Sequence, residues 1–205
     1  VNGCPWDKVQ THTSIRMNFL EEAYEAVDAL DLDDPVLMCE ELGDVLMQVA
    51  FHTCMEQETG RFTWEQVCDG VCQKLIERHP NIFGTQPGYE GITDWDALKN
   101  KEKGRRTLAD DLESVPRAMP ALMRAAKLQK RAARHGAALQ GADAAALADA
   151  AENLQTAQPA SAQAEQAVGE LLFAAANLAR QAGVDPEQAL QKANEAFCTA
   201  AGPVA

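Results

Sequence analysis

Two acidic clusters with the same internal spacing lie in neighbouring predicted helices. In order along the chain their members are Glu21, Glu22 and Glu25, then Glu40, Glu41 and Asp44. Because a helix turns by about 100° per residue, positions i, i+1 and i+4 lie on one face. Like charges on one face repel each other, at a cost of roughly 0.2–0.5 kcal/mol per pair. A divalent cation between the two helices would remove that repulsion, so the spacing predicts a cation site.

The donor types in these clusters favour a hard cation. Mg²⁺ binds oxygen ligands and is usually held by a few carboxylates together with substrate phosphates. Glu22 and Glu25 are three residues apart and can reach one site, which Glu41 and Asp44 can meet from the partner helix. Gly43 lacks a side chain, which predicts a close approach of the two helices there. We therefore expect Mg²⁺ as cofactor, with Mn²⁺ as a possible substitute.

Other interpretations of the acidic clusters remain open at the level of the sequence. The acids could form solvated helix faces, although they adjoin the most apolar predicted helix. A ferritin-like di-iron bundle would need Glu-x-x-His, which occurs nowhere in the chain. An EF-hand is disfavoured because the acids lie in helices rather than in a loop. His52 lies on an apolar helix and is expected in the core or behind the ligands rather than on the metal.

A magnesium site of this kind needs cationic partners for phosphate. Lys74 and Arg78 are four residues apart on one predicted helix and therefore share a face. Trp95 and Lys99 repeat that spacing on the next, where the indole could stack on a base while the amine binds a phosphate. The spacing is equally compatible with Trp95 in the core and with cations paired to surface acids.

Helices are predicted along almost the whole chain. Thr13 or Ser14 should cap the first helix, Asp34-Pro35 should begin the second, and Thr63 with Gln66 forms a capping box for the third. The predicted helices span about 13–30, 35–58, 63–78, 94–103 and 117–135. The second should be the central and most buried helix. Residues 105–114 are expected to form a polar connector. The basic face of 117–135 is expected to be solvated or to link domains, or else to be an arm over substrate phosphates.

Composition divides the chain of 205 residues into an acidic half and an alanine-rich end. Up to Lys103 there are 20 acidic and 8 basic residues, and 25 alanines follow Gly136. We predict a catalytic repeat at 1–104, a basic connector at 105–136 and a degenerate second repeat at 137–205. Residues 43–50 align with residues 169–176. At the same offset Ala167 occupies the position of Glu41, just before the aligned segment, so a second working cation site is not expected.

The bulk properties exclude several classes of protein. A formal net charge of −13 disfavours binding to a nucleic-acid polymer. No apolar run reaches the 18–20 or so residues of a membrane span, and no signal peptide is visible. The six cysteines form no Cys-x-x-Cys pair and are expected as buried, reduced thiols. We therefore expect a cytoplasmic location and no membrane partner.

An ordered set of motifs extends well beyond the acidic clusters. It comprises Cys4-Pro5-Trp6-Asp7-Lys8, the Glu-Glu-x-x-Glu and Glu-Leu-Gly-Asp segments, Gly60-Arg61-Phe62, Arg78-His79-Pro80 with Phe83, Trp95 to Lys99, and Pro120-Ala121-Leu122 to Lys130-Arg131. In this set the chain resembles the MazG family of nucleoside triphosphate pyrophosphohydrolases. The resemblance covers about residues 3–135 closely and 165–197 more loosely.

The resemblance implies an all-α helical-bundle fold of two tandem repeats and a tight homodimer. It implies Mg²⁺-dependent hydrolysis of nucleoside triphosphates between the α- and β-phosphates, giving the monophosphate and pyrophosphate, as in nucleotide-pool house-cleaning. Carried over by position, the metal ligands are Glu22, Glu25, Glu41 and Asp44. The residues implied around the nucleotide are Asn18, Glu21, Glu40, Lys74, Arg78, Trp95 and Lys99. Glu21, which lies outside the four ligands, is the candidate that would hold the attacking water.

The second repeat departs from the family pattern because it has lost its acids. We interpret it as a scaffold. If the family depended on that repeat for turnover, the protein would be a catalytically silent nucleotide-binding or dimer-scaffold protein of the same fold. A purely structural helical dimer is the third alternative.

Overall fold

The fold is all-helical throughout the residues that a computed structural model describes, which are 3–84, 100 and 102–202. The chain divides into two compact units, Val1–Thr93 and Asp94–Ala205. Trp95, Lys99 and most of the helix predicted at 94–103 lie outside the described residues. The all-α class is thus confirmed, whereas the tandem repeats and the three-part division of the chain stay predictions.

The first unit begins with a 3-10 turn, and its helices follow one another closely. Their bounds are Asp7–Val9 for the turn, then α1 (Arg16–Asp31), α2 (Pro35–Glu58), α3 (Trp64–Arg78) and α4 (Pro80–Phe83). The described helices of the second unit are α5 (Leu108–Glu113), α6 (Ala121–Arg134), α7 (Ala144–Thr156), α8 (Ala162–Gln181) and α9 (Pro186–Ala201). None of these helices is both long and apolar enough to cross a bilayer.

Local signals set two of the helix starts as predicted. The Asp34 carboxylate accepts bonds from the amides of Val36 and Leu37, and Pro35 occupies the first helical position. Thr63 and Gln66 form the predicted reciprocal capping box. The predicted cap at Thr13 or Ser14 is wrong, because α1 begins after Ile15 without a side-chain cap. The Ser14 hydroxyl instead accepts a bond from the amide of Thr11, which closes a turn before the helix.

The first two helices form an antiparallel hairpin. The connection is only three residues long, and Asp33 adopts a left-handed conformation there with φ of 54°, which Asp tolerates better than most residues. Contacts run in opposite directions along the pair, since Glu22 meets Gln48 while the earlier His12 meets the later His52. This hairpin brings the two acidic clusters to the same level.

Three predictions about burial and about contacts between helices are wrong. The fully buried side chains of α2 are polar (Gln48, Thr53 and Glu56), and Leu46 is 56% exposed. A Cβ at Gly43 would meet nothing within 4 Å among the described residues, so the close approach predicted at Gly43 is not present there. All six cysteines, which are spread along the chain, are exposed rather than buried. For Leu46 the reason is that α2 packs on α1 and α3 with part of its surface only, which leaves its remaining apolar face open.

Buried ionic contacts, rather than a solvated basic face, organise the start of the second unit. The predicted connector contains α5, which begins with a Thr107–Asp110 capping box. Asp111 of this helix is fully buried, and Arg131 of α6 is only 7% exposed. The Arg131 Nη1 lies 3.0 Å from Asp111 Oδ1 and also donates to the Ser114 hydroxyl. The solvated basic face predicted for this helix therefore does not include Arg131.

Small residues form much of the remaining core of the second unit. Ala150 of α7 and Ala174 and Ala176 of α8 are buried, which allows those two helices to approach closely. The buried Asn177 amide donates to the carbonyl of Ala142 at 2.6 Å and fixes the entry to α7.

A polar network ties the N-terminal segment to α2. His12 Nδ1 and His52 Nδ1 are 2.6 Å apart with the rings stacked, and His12 Nε2 lies 2.5 Å from Glu56 Oε1. The carboxylate favours a proton on His12 Nε2, so His52 Nδ1 donates to His12 Nδ1. The Arg61 guanidinium supplies a cation to Glu56 at 2.6 Å. Burial, together with His12, lowers the pKa of His52.

This lowered pKa makes the first unit sensitive to acid. Because folding disfavours the protonated His52, its contribution to the free energy of unfolding is complete above the unfolded pKa of about 6.5 and is lost as the pH falls below it. We expect the stability of the first unit to decline between pH 7 and pH 5, and His52→Gln to flatten that decline. Thermal unfolding across this range measures it, and an unchanged slope in the variant would show that His52 is not responsible.

Candidate metal centre

Three of the predicted ligands converge on one point of the hairpin. One carboxylate oxygen each from Glu22, Glu41 and Asp44 lie within 4.8 Å of one another. Glu22 comes from the middle of α1, whereas Glu41 and Asp44 are three residues apart on α2. All three side chains are half-buried. The arrangement thus collects carboxylates from two helices at their contact, as the spacing predicts.

The separation of these oxygens fits a small divalent cation. In an octahedron with ligands at about 2.1 Å, ligand oxygens lie about 3 to 4.2 Å apart. The observed limit of 4.8 Å is close enough for small side-chain rotations to reach that geometry. Mg²⁺ and Mn²⁺ both prefer such oxygen donors. We conclude that Glu22, Glu41 and Asp44 can hold either ion.

The electrostatics of the cluster also favour the binding of a cation. Burial and then the charge of Asp44 raise the pKa of Glu22, and Glu25 adds to this effect. Burial, Asp44, Glu40 and Glu22 raise the pKa of Glu41. Carboxylates that are difficult to ionise together are stabilised by a cation among them.

Acid should therefore compete with the cation. Protons and the cation bind the same carboxylates, and the pKa values of Glu22 and Glu41 lie above the ordinary range. We expect the affinity for Mn²⁺ to fall as the pH is lowered from neutral, beginning at a higher pH than for carboxylates of ordinary pKa. Titration calorimetry at pH 7.5, 6.0 and 5.0 measures this, and a pH-independent affinity would argue against carboxylate ligands.

One polar residue behind the cluster was not predicted. The Gln48 amide is buried and donates to Glu22 Oε1 at 3.4 Å, which holds that carboxylate in place. Gln48 lies four residues after Asp44 and so on the same arc of α2. That spacing is the signal that could have found it.

The remaining predicted site residues fall into four groups. Glu25 and Glu40 are exposed neighbours of Glu22 and Glu41, and they act on the pKa values of those residues. Asn18 and Glu21 precede Glu22 on α1, the first half-buried and the second exposed. Lys74 and Arg78 lie on α3, which packs on α2. Trp95 and Lys99 lie outside the described residues. The roles of all these residues stay predictions.

The similarity of this chain to known proteins agrees with a metal centre at this position. The family model of the MazG nucleotide pyrophosphohydrolase domain matches residues 10–83, which include α1, α2 and α3. A nucleoside triphosphate pyrophosphohydrolase of Escherichia coli is 40% identical over 205 residues, covering 96% of this chain and 78% of that protein. This chain belongs to the MazG family. Family membership classes it as a hydrolase that acts on phosphoric anhydrides.

Two further relatives show how far the likeness to MazG proteins extends. The nucleoside triphosphate pyrophosphohydrolase/pyrophosphatase MazG of Thermotoga maritima is 39% identical over 95% of this chain and 76% of its own length. A nucleoside triphosphate pyrophosphohydrolase of Mycobacterium tuberculosis is 38% identical over 64% of this chain and 41% of its own. The likeness to the first extends through both units of the present MazG chain.

Proposed function

We propose that this protein hydrolyses nucleoside triphosphates to nucleoside monophosphates and pyrophosphate, with Mg²⁺ as cofactor and Mn²⁺ as a substitute. The observation that carries the proposal is the convergence of Glu22, Glu41 and Asp44 at the contact of α1 and α2. The names of the relatives agree with the substrate and with the type of reaction. Removal of noncanonical triphosphates from the nucleotide pool is the role that this chemistry suits.

The chain's own residues would bind and orient the triphosphate. Glu22, Glu25, Glu41 and Asp44 would hold the metal, which when bound neutralises phosphate charge and lowers the pKa of a bound water. Glu21 is exposed beside Glu22 and would hold the attacking water. The water oxygen would form a bond to the α-phosphorus while the bond from that phosphorus to the bridging oxygen breaks. Pyrophosphate would leave with that electron pair, and the proton of the water would pass to solvent by way of the Glu21 carboxylate.

Cationic and polar side chains would position the rest of the nucleotide. Lys74 and Arg78, one turn apart on α3, would stabilise the charge that builds on the leaving pyrophosphate, as would Lys99. Trp95 would stack on the base. The two remaining predicted contacts, from α1 and α2 respectively, are Asn18 and Glu40.

We further propose that the protein is a homodimer. Leu42 and Leu46, four residues apart on α2, are 50% and 56% exposed, and Met47 beside them is 44% exposed. A second copy of the chain would bury this apolar face. We expect Leu46→Glu to convert a dimer to a monomer in sedimentation velocity, whereas Gln57→Glu, which adds the same charge to the same helix, should leave the dimer intact. Monomer formation by both variants, or by neither, would contradict this interface.

The experiment that tests the proposed activity is a panel of natural and damaged nucleoside triphosphates scored for pyrophosphate. We expect release with Mg²⁺ or Mn²⁺ and none with EDTA. Orthophosphate as the only product would place cleavage at the wrong bond. Mg²⁺-dependent nucleotide binding without any product would indicate the silent binding protein instead.

A further inference from the structure

A cleft in the second unit concentrates positive charge in a chain that is acidic overall. It has a volume of about 670 Å³ and lies between α6 and the loop that joins α8 to α9. Its cationic and methionine lining consists of Met119, Met123, Lys127, Lys130, Arg131 and Arg180. We refer to it below as the basic cleft. Its volume is within the range of small-molecule sites, which is about 300–1,000 Å³.

Three of these cations have no acidic partner. Among the described residues, Lys127, Lys130 and Arg180 form no ion pair, and α6 contains no acidic residue at all. A solvated helix face usually interleaves acids four residues from its cations. The absence of such acids from α6 means that the positive charge of the cleft is not compensated by its own helix.

Two features show that the cleft is built rather than incidental. The Arg180 Nε donates to Asn177 Oδ1 at 2.9 Å, and Asn177 is itself buried and bonded to the Ala142 carbonyl. This fixes the Arg180 side chain while leaving its two Nη groups as donors. Arg131 is buried beside Asp111, yet its Nε has no hydrogen-bond partner within the described part of the chain.

The one acidic group that lines the cleft is engaged elsewhere. Asp185 caps α9, and its Oδ1 accepts bonds of 3.0 Å from the amides of Glu187 and Gln188. The Glu187 carboxylate in turn accepts a hydrogen bond from the backbone amide of Met123. The single carboxylate of Asp185 is outnumbered by Lys127, Lys130 and Arg180, so the cleft presents a net excess of donors for an anion.

We propose that the basic cleft binds an oligophosphate, an anion with two or more linked phosphate groups. Such an anion is long enough to reach cations on both α6 and the end of α8, and charge-assisted bonds from Arg180 and the two lysines suit its oxygens. Met119 and Met123 offer an adaptable apolar wall for an organic part of the ligand. Binding at this cleft needs no divalent cation and no residue of the carboxylate centre.

The test is calorimetric titration of the full-length chain with inorganic pyrophosphate in EDTA at constant ionic strength. We expect binding that Asp44→Asn leaves unchanged and that the double variant Lys127→Gln/Arg180→Gln weakens at least tenfold. The matched double variant Arg106→Gln/Lys192→Gln removes two exposed cations of the same unit, and it should change the affinity by less than a factor of two. Equal weakening by both pairs, or no binding at all, would overturn the proposal.

Three additional measurements identify the anion, exclude loss of the fold and locate the binding site. A nonhydrolysable nucleoside triphosphate that binds in EDTA with the same variant pattern as pyrophosphate supports an organic oligophosphate, while binding of pyrophosphate alone supports the inorganic anion. Lys127→Arg/Arg180→Lys preserves both charges and should retain affinity within threefold.

Pyrophosphate should protect residues 119–130 and 180–186 from hydrogen exchange, and protection confined to α1 and α2 would overturn the assignment. Because the measurement uses EDTA, it can fail or succeed independently of the proposed hydrolysis.

Discussion

Asp44→Asn is expected to lower Mg²⁺-dependent pyrophosphate release by about three orders of magnitude or more, as is Glu41→Gln. Each substitution removes one charge and one ligand oxygen from a cluster whose three oxygens lie within 4.8 Å. Because a bound metal contributes several kcal/mol to stabilising charge in phosphoryl chemistry, its loss costs orders of magnitude in rate. Steady-state assays with saturating Mg²⁺ and nucleotide measure the effect.

The same variants should not harm the fold. Without Mg²⁺ the carboxylates repel one another, so removing one charge leaves the free energy of unfolding unchanged or slightly raises it. Glu58→Gln is the matched control, since Glu58 is an exposed acid at the end of the same helix. Full activity is expected for it. If Asp44→Asn instead unfolds the first unit in the absence of Mg²⁺, the acids are structural.

Asp111→Asn is expected to destabilise the second unit by about 3–5 kcal/mol, as removal of one partner of a buried ion pair does. In the native protein Asp111 is fully buried. Oxygens of its carboxylate lie 3.0 Å from a side-chain nitrogen of Arg131, 2.6 Å from one of Arg134 and 3.1 Å from one of His135. Burial opposes its ionisation, but bonds from Arg134, Asn100 and His135 outweigh that effect, so its pKa lies below the usual value. The substitution leaves Arg131 buried without a counter-charge.

Urea unfolding, with hydrogen exchange read at residues 108–135, measures this loss. Glu113→Gln is the control, because it removes an exposed acid from the same short helix and should cost no more than about 0.5 kcal/mol. Similar losses for the two variants would mean that the buried charge network contributes nothing specific to the second unit.

The features predicted correctly from the sequence are those encoded over a few residues. Asp34-Pro35 and the Thr63–Gln66 box fix helix starts through bonds within one turn. The meeting of Glu22 with Glu41 and Asp44 follows from helical period and a short connection, since a three-residue turn leaves two helices antiparallel neighbours.

The wrong predictions concern burial and contacts that depend on residues far apart in the sequence or on how much of a helix its neighbours cover. Apolar periodicity predicts that Leu46 is buried, but it does not reveal that α1 and α3 leave this side chain 56% exposed. The buried pair of Asp111 and Arg131 joins residues 20 apart, and neither has a local motif. For the same reason the contact of His12 with His52, 40 residues apart, has no signature in the sequence.

The most direct test of the metal centre is crystallographic. Crystals grown with Mn²⁺ and a nonhydrolysable nucleoside triphosphate should show an anomalous peak bonded to oxygens of Glu22, Glu41 and Asp44, with phosphate oxygens completing the coordination. Manganese and triphosphate bound elsewhere, with these three side chains turned into bulk solvent, would contradict the proposed function.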